Sequence, residues 1–225
     1  MVKAILFDMD DTLYPEIEYI FSGYRAVAHW AGEHLHPALA NAHPQLINLF
    51  RHGTRFHIFN HWLAPYDLDT EDNALTLLDI YRQHFPDISL FPGVIPLLER
   101  LRATFALGIV TDGYVVMQEK KLAALELGHF FDTIVMSDRL GKEFWKPSTR
   151  PFELALQELN VRGTEAVYVG DNPLKDFLGA RQLGMEAIRI LRFGGLYSEI
   201  EPPSSEHSPS RIIFSLKELE QVVES

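Results

Sequence analysis

A chain of 225 residues, 47% hydrophobic and 23% charged, has the size and make-up of one generous domain, or of a core carrying an inserted subdomain. Its 20 Lys and Arg stand against 31 Asp and Glu, a formal net charge of −11, which argues against nucleic acid polymers and anionic membranes as partners, because both require a basic face. It has no cysteine, so disulfides, thiolate metal sites and cysteine nucleophiles are excluded.

The first element is the apolar run Ala4 to Phe7, which stops at Asp8, Asp10 and Asp11. It is too short for a secretory signal and reads as a buried strand of a parallel sheet. No apolar run approaches the roughly 18 residues of a membrane span, so the expectation is a soluble, cytoplasmic protein. Residues 15–90 differ in kind from the rest. They hold four basic residues, no lysine and eight of the ten histidines, and they show no strand pattern. Tyr19, Ile20, Gly23, Tyr24, Val27, Trp30 and Ala31 mark a helical stripe. Pro37, Pro44 and Pro65 divide the rest into about four helices. Asp69-Thr70-Glu71-Asp72 is a cap-competent start for the last of them.

From Val94 the pattern becomes an alternation. Helices are expected over 94–104, 115–127, 151–160, 174–183 and 216–223, with Gly128 and Gly184 closing the second and fourth. Strands are expected over 106–110, 133–136, 166–169, 187–191 and 211–214. Glu201–Ser210, rich in Pro and Ser, reads as a surface loop. Strand alternating with helix implies an α/β fold, a doubly wound, Rossmann-like parallel sheet. The helical stretch interrupts it after the first strand. The division is a core of 1–14 with 91–225 and an all-helical insertion of 15–90.

In open parallel sheets ligands bind beyond the carboxyl ends of the strands. Those ends gather Asp8, Asp10, Thr111, Asp171 and Asp176, with Lys146 before a helix in the segment after the third strand. Carboxylates crowded in a low-dielectric cleft repel and call for a cation. An all-oxygen set suits a hard ion, Mg²⁺ before Ca²⁺. A phosphoryl group beside it needs a hydroxyl and a compact positive charge, which Thr111 and Lys146 can supply. Each piece alone is ordinary turn, cap or surface chemistry. The set, in this order and at these positions, is not.

The run Phe7-Asp8-Met9-Asp10-Asp11-Thr12-Leu13-Tyr14, the hydroxyl of Thr111, Lys146-Pro147 and Gly170-Asp171 followed by Asp176 resemble the four motifs of the haloacid dehalogenase superfamily, phosphatase branch. The resemblance implies a Mg²⁺-dependent phosphomonoester hydrolase acting on a small phosphorylated metabolite, with the insertion as a helical cap. It implies Asp8 as the nucleophile that forms an aspartyl-phosphate and Asp10 as the acid and base. Thr111, with backbone at Met9, Asp112 and Gly113, would bind the phosphoryl oxygens. Lys146 would neutralise charge. Asp8, the carbonyl of Asp10, and Asp171 would hold the metal, with Asp176 in support. Lys142 competes for the lysine role, but Lys146 has the following proline and Phe152 six residues on. Asp112 stands where the family often has asparagine and is expected to act through its backbone.

A phosphomutase on the same scaffold and a non-catalytic phosphoacceptor module are the rival readings. The dehalogenase branch lacks an acid such as Asp10, because a halide needs no proton. His57 and His61, and likewise Arg51 and Arg55, have the i, i+4 spacing of a shared helix face. They read as cap surface or cleft lining rather than as a metal site. Phe21, Tyr24, Phe56, Phe59 and Trp62 read as cap core. The motifs leave the substrate itself open, since caps diverge.

Overall fold

The computed structural model describes residues 1–223. Strand β1 (Ala4–Phe7) is followed by four helices, α1 (Glu16–His34), α2 (His43–Arg51), α3 (Ile58–Leu63) and α4 (Glu71–Gln83). The alternation then runs α5 (Val94–Leu101), β2 (Ala106–Thr111), α6 (Val115–Ala124), β3 (Thr133–Met136), α7 (Arg150–Glu158), β4 (Ala166–Gly170), α8 (Asp176–Gln182), β5 (Glu186–Ile190), β6 (Arg211–Ile213) and α9 (Lys217–Val223). The chain divides into two compact units, Met1–Glu16 with Ser89–Ser225, and Ile17–Ile88.

The larger unit holds a six-stranded, all-parallel sheet in the order β3-β2-β1-β4-β5-β6. The chain order reverses between β1 and β4, which opens a crevice at their carboxyl ends. Phe7 pairs with Ile109 on one side and Val169 on the other, so the central strand ends lie level. Every residue of β1 is fully buried, as a strand covered on both faces must be. Leu6, Val110 and Tyr168 share one core with Phe152, Ala155 and Leu156 of α7. Each large apolar side chain buried there contributes about 1.5–3 kcal/mol. The Phe152 ring meets the Tyr168 ring edge-on at 4.9 Å, which fixes the direction of the Tyr168 hydroxyl.

Helix ends follow local chemistry. Gly184 takes φ +81° just past α8, as its position predicts. Gly128 does not close α6. Glu126 takes the left-handed turn at φ +54°, and the Leu127 N–H bonds back to Leu122 O, so the helix stops earlier than the glycine suggests. Helix α8 starts at Asp176 rather than at 174, because the Asn172 side chain accepts the Leu174 N–H and holds a turn there.

In the helical unit Tyr19, Ile20, Gly23, Tyr24, Val27 and Ala31 form the buried stripe of α1. Trp30 sits at its edge, half-exposed, and stacks on His34. Thr70 caps α4 by accepting the Asn73 N–H. Phe59 and Trp62 are core, whereas Phe56 is 87% exposed. The two i, i+4 pairs do not share helix faces. His57 precedes α3 at φ +52°, and Arg55 lies beyond the last residue of α2, over the Phe50 ring. No histidine belongs to a group of metal-ligating side chains among the described residues, nor is any of their helices long and apolar enough to cross a membrane.

Candidate active site

Asp8 leaves β1 with its N–H bonded to Val169 O, so the first residue after the strand is still set by the sheet. Asp11 then turns the chain at φ +48°. Its carboxylate accepts the N–H groups of Glu16 and Leu196, both at 2.8 Å, and so ties the loop after β1 to the loop after β5. Arg192 adds a bond to Thr12 O.

Lys146 is the hub of what this loop faces. Its fully buried ammonium lies 2.7 Å from Asp176 Oδ1, 2.9 Å from the Tyr168 hydroxyl and 2.9 Å from Asp8 Oδ1. The last contact is an ion pair, not an aligned hydrogen bond. Burial alone would lower the lysine's pKa, but Asp176 and Asp8 outweigh it and hold Lys146 well above its ordinary range. Lys142 instead bonds the Tyr114 hydroxyl on the surface.

Asp8 is pushed up to about 6 by burial, against the pull of Lys146 and with the push of Asp176. Burial, then Asp176 and Asp8, raise Asp171 well above the carboxylate range. Asp10 is different. Burial pushes it up, yet Lys121, Tyr14 and Gln118 more than reverse that, and its carboxyl lies below the ordinary value. Lys121 Nζ is 2.7 Å from Oδ1, the Tyr14 hydroxyl donates to the same oxygen, and Gln118 Nε2 is 3.2 Å from Oδ2.

The side chain of Asp112 does more than the backbone role expected of it. Oδ1 accepts from the Ser137 hydroxyl at 2.6 Å and from the Lys146 N–H at 3.1 Å, and Oδ2 lies 3.3 Å from Lys175. It thereby holds the backbone of the lysine loop. Lys175 offsets the extra acid. Thr111 is fully buried under Gln118, while Asp112 and Gly113 line a cavity of about 190 Å³ with Asp8, Asp10 and Asp171. Met9 is fully buried. A larger groove of about 620 Å³ in the helical unit has mostly apolar walls with Asp69 and Glu71 at its lining, and among the described residues no group of three metal-ligating side chains lies there.

Asp8, Asp171 and Asp176 each bring an oxygen within 4.8 Å of the others, a buried all-oxygen set that fits a hard divalent cation. Within it, Asp176 is already engaged. Oδ1 takes Lys146 and Tyr168, and Oδ2 takes the Asn172 N–H at 2.8 Å. Among the described residues no cationic side chain is bonded to the Asp171 carboxylate, so Asp8 and Asp171 are the stronger candidates for ligation and Asp176 for support.

Glu16, Gln118, Lys121, Tyr168 and Lys175 join the site without a motif to mark them, and Tyr14 stands in the first motif without a role of its own. The available signal was Gln118 and Lys121 at i, i+3 just after a strand end, but Glu119 and Lys120 beside them are equally polar. Glu16 lines the cavity, and burial beside Asp10 pushes it up to about 8. Gly170 has a spatial reason. A Cβ there would lie 2.5 Å from Asp176 Oδ2. Gly170→Ala is expected to displace that carboxylate at a cost of about 1–3 kcal/mol, lowering the melting midpoint by roughly 2–10 °C. An unchanged midpoint in a thermal melt would contradict this.

The family model of haloacid dehalogenase-like hydrolases matches residues 5–190. A glyceraldehyde 3-phosphate phosphatase of Methanopyrus kandleri is 35% identical over 99% of this chain and 97% of its own. One of the same name from Methanocaldococcus jannaschii is 32% identical over 100% of this chain and 98% of its own. A solved structure, a HAD phosphatase from Thermococcus onnurineus, is similar with a TM-score of 0.64 at 28% identity, covering 99% of this chain and 98% of that one.

Proposed function

The chain belongs to the haloacid dehalogenase-like hydrolase family and is a phosphatase of it, and we propose that it is a Mg²⁺-dependent hydrolase of a small phosphomonoester that works through an aspartyl-phosphate on Asp8. The observation that carries this reading is one buried ammonium, Lys146, held between Asp8 and Asp176 beside Asp171.

Asp8 attacks phosphorus, and the bond from phosphorus to the leaving oxygen breaks. That oxygen takes a proton from Asp10. Asp10 rests as a carboxylate, so the proton arrives with the substrate, since a phosphate monoester is part monoanion near neutral pH. Water then attacks the aspartyl-phosphate and gives a proton to Asp10, and the bond from Asp8 to phosphorus breaks. Lys146 offsets the charge on Asp8 and on the phosphoryl group throughout. Thr111 and the backbone at Met9, Asp112 and Gly113 bind the phosphoryl oxygens. Asp8, Asp171 and the carbonyl of Asp10 would hold Mg²⁺, which supplies Lewis-acid neutralisation of phosphoryl oxygens when bound.

The helical unit acts as the cap that selects the substrate. The named relatives make a triose phosphate, glyceraldehyde 3-phosphate, the first compound to try, with sugar phosphates, phosphoglycolate and nucleoside monophosphates beside it. The expected product is free phosphate rather than a positional isomer of the substrate. A metabolite panel assayed for released phosphate checks this. Chelation should abolish release and added Mg²⁺ restore it. Mg²⁺ should also raise the melting midpoint, a readout independent of turnover. Full activity in excess chelator would sink the metal assignment.

A further inference from the structure

We propose that Gln118 is a positioning residue of the catalytic centre, fixing the direction of the Thr111 hydroxyl and tying it to Asp10. This rests on the roles given above to Asp8, Asp10 and Thr111.

Gln118 is fully buried, yet it borders the cavity where Thr111 does not. Its Nε2 lies 2.6 Å from Thr111 Oγ1 and 3.2 Å from Asp10 Oδ2. An amide nitrogen has two hydrogens and accepts nothing, so both hydrogens are committed, one to each partner. Thr111 Oγ1 is therefore the acceptor in its bond. The hydroxyl's own proton finds no acceptor among the described residues. A buried donor left in this state is costly unless a ligand takes it. The phosphoryl group is that ligand.

The amide cannot readily turn over. Asp10 already receives Lys121 Nζ at 2.7 Å and the Tyr14 hydroxyl. Reversal would set Gln118 Oε1 against that carboxylate. Oε1 faces Gly113 instead, where a Cβ would lie 3.1 Å from it. Gln118 and Lys121 stand i, i+3 on α6, so a single helix face delivers donors to both oxygens of Asp10 and to Thr111. The direction of the Thr111 proton is thus decided by residues that need not touch the substrate.

Gln118→Met keeps the length of the side chain and removes its donors. The two halves of the role separate by leaving group. An alkoxide needs the proton from Asp10, whereas p-nitrophenolate does not. kcat/KM covers the step in which the leaving group departs. For p-nitrophenyl phosphate we expect a fall of about tenfold, from the misdirected Thr111 hydroxyl alone, and for an alkyl phosphate about 100-fold. Inhibition by orthovanadate should weaken by about tenfold in parallel. Gln118→Glu, with the same shape but an acceptor facing Thr111, should reproduce the pattern and serves if the methionine variant does not fold. Equal losses on both substrates, or unchanged vanadate inhibition, in a folded variant would overturn the role of Gln118. Wild-type turnover that survives Asp8→Asn would instead overturn the reading beneath it.

Discussion

Asp8→Asn should lower kcat/KM by at least about 10³-fold while leaving the protein as stable as before or more so. The amide has the shape of the carboxylate but does not attack phosphorus. Lys146 keeps Asp176 and Tyr168 as partners, so the loop stays anchored. The stability half follows from the sign of the Asp8 shift. Its folded value, about 6, stands above the ordinary 3.8, mainly because burial outweighs Lys146. A carboxylate raised on folding is harmless below its unfolded value and costs increasing stability as pH rises toward the folded value. In chelator, above about pH 6, the cost removed by asparagine is at most about 3 kcal/mol. The variant should melt higher than wild type near neutral pH, and the gap should close in acid. Paired melts and phosphate-release assays test both halves. A variant that turns over normally removes Asp8 as nucleophile, and one that melts lower at neutral pH refutes the energetic argument.

Lys146→Met should be strongly destabilising, where Asp8→Asn is not. It leaves Asp8 and Asp176 buried together, with the Tyr168 hydroxyl and the Asn172 N–H as the remaining donors to Asp176 among the described residues. Breaking a buried ion pair from one side costs about 3–5 kcal/mol, a fall in melting midpoint of roughly 6–20 °C for a chain of this size. The loss should depend on pH in a definite direction. Without the ammonium the buried Asp8 carboxylate loses the pull that Lys146 exerts on it, so its folded value rises further. The penalty is then small in acid and grows as pH rises toward neutrality. Activity should fall by about 10²-fold or more, because the charge that offsets the phosphoryl group is gone. Lys142→Met is the control. Its ammonium bonds a surface tyrosine, so melting should change by under about 0.5 kcal/mol in equivalent stability. A melting midpoint for Lys146→Met that is unchanged, or lowest in acid, would contradict the account.

The sheet was legible because buried parallel strands leave a coarse signal, four or five apolar residues ending at an acid or a glycine. Ala4 to Phe7 and Ala166 to Gly170 are of this kind, and both lie fully buried at the centre. Asp8, Asp10, Thr111 and Asp171 were legible for the same reason, since strand ends dictate position, and Lys146 was legible from the proline that follows it. Helix faces were less so. Gln118 and Lys121 sit among Glu119 and Lys120, and only the packing of α6 decides which pair turns toward Asp10. Lys175 finds Asp112 across 63 positions of chain, a contact no local pattern encodes. Glu126 replaces Gly128 at the end of α6 because backbone hydrogen bonds, rather than the most permissive residue nearby, fixed the stop.

The place of β1 between β2 and β4 has a consequence for the order of assembly. Phe7 pairs with Ile109 and with Val169, so β1 is flanked by two strands made much later than itself. Asp11 must wait for Leu196 before its carboxylate is satisfied. As the chain leaves the ribosome, Asp8 appears well before Lys146, Asp171 and Asp176, the groups that surround it. Contacts this distant in sequence slow folding, because a long loop must close before they repay its entropy. No fragment ending before β4 can hold the set of Asp8, Asp171 and Asp176, so the acidic centre comes into being only when the sheet is nearly whole.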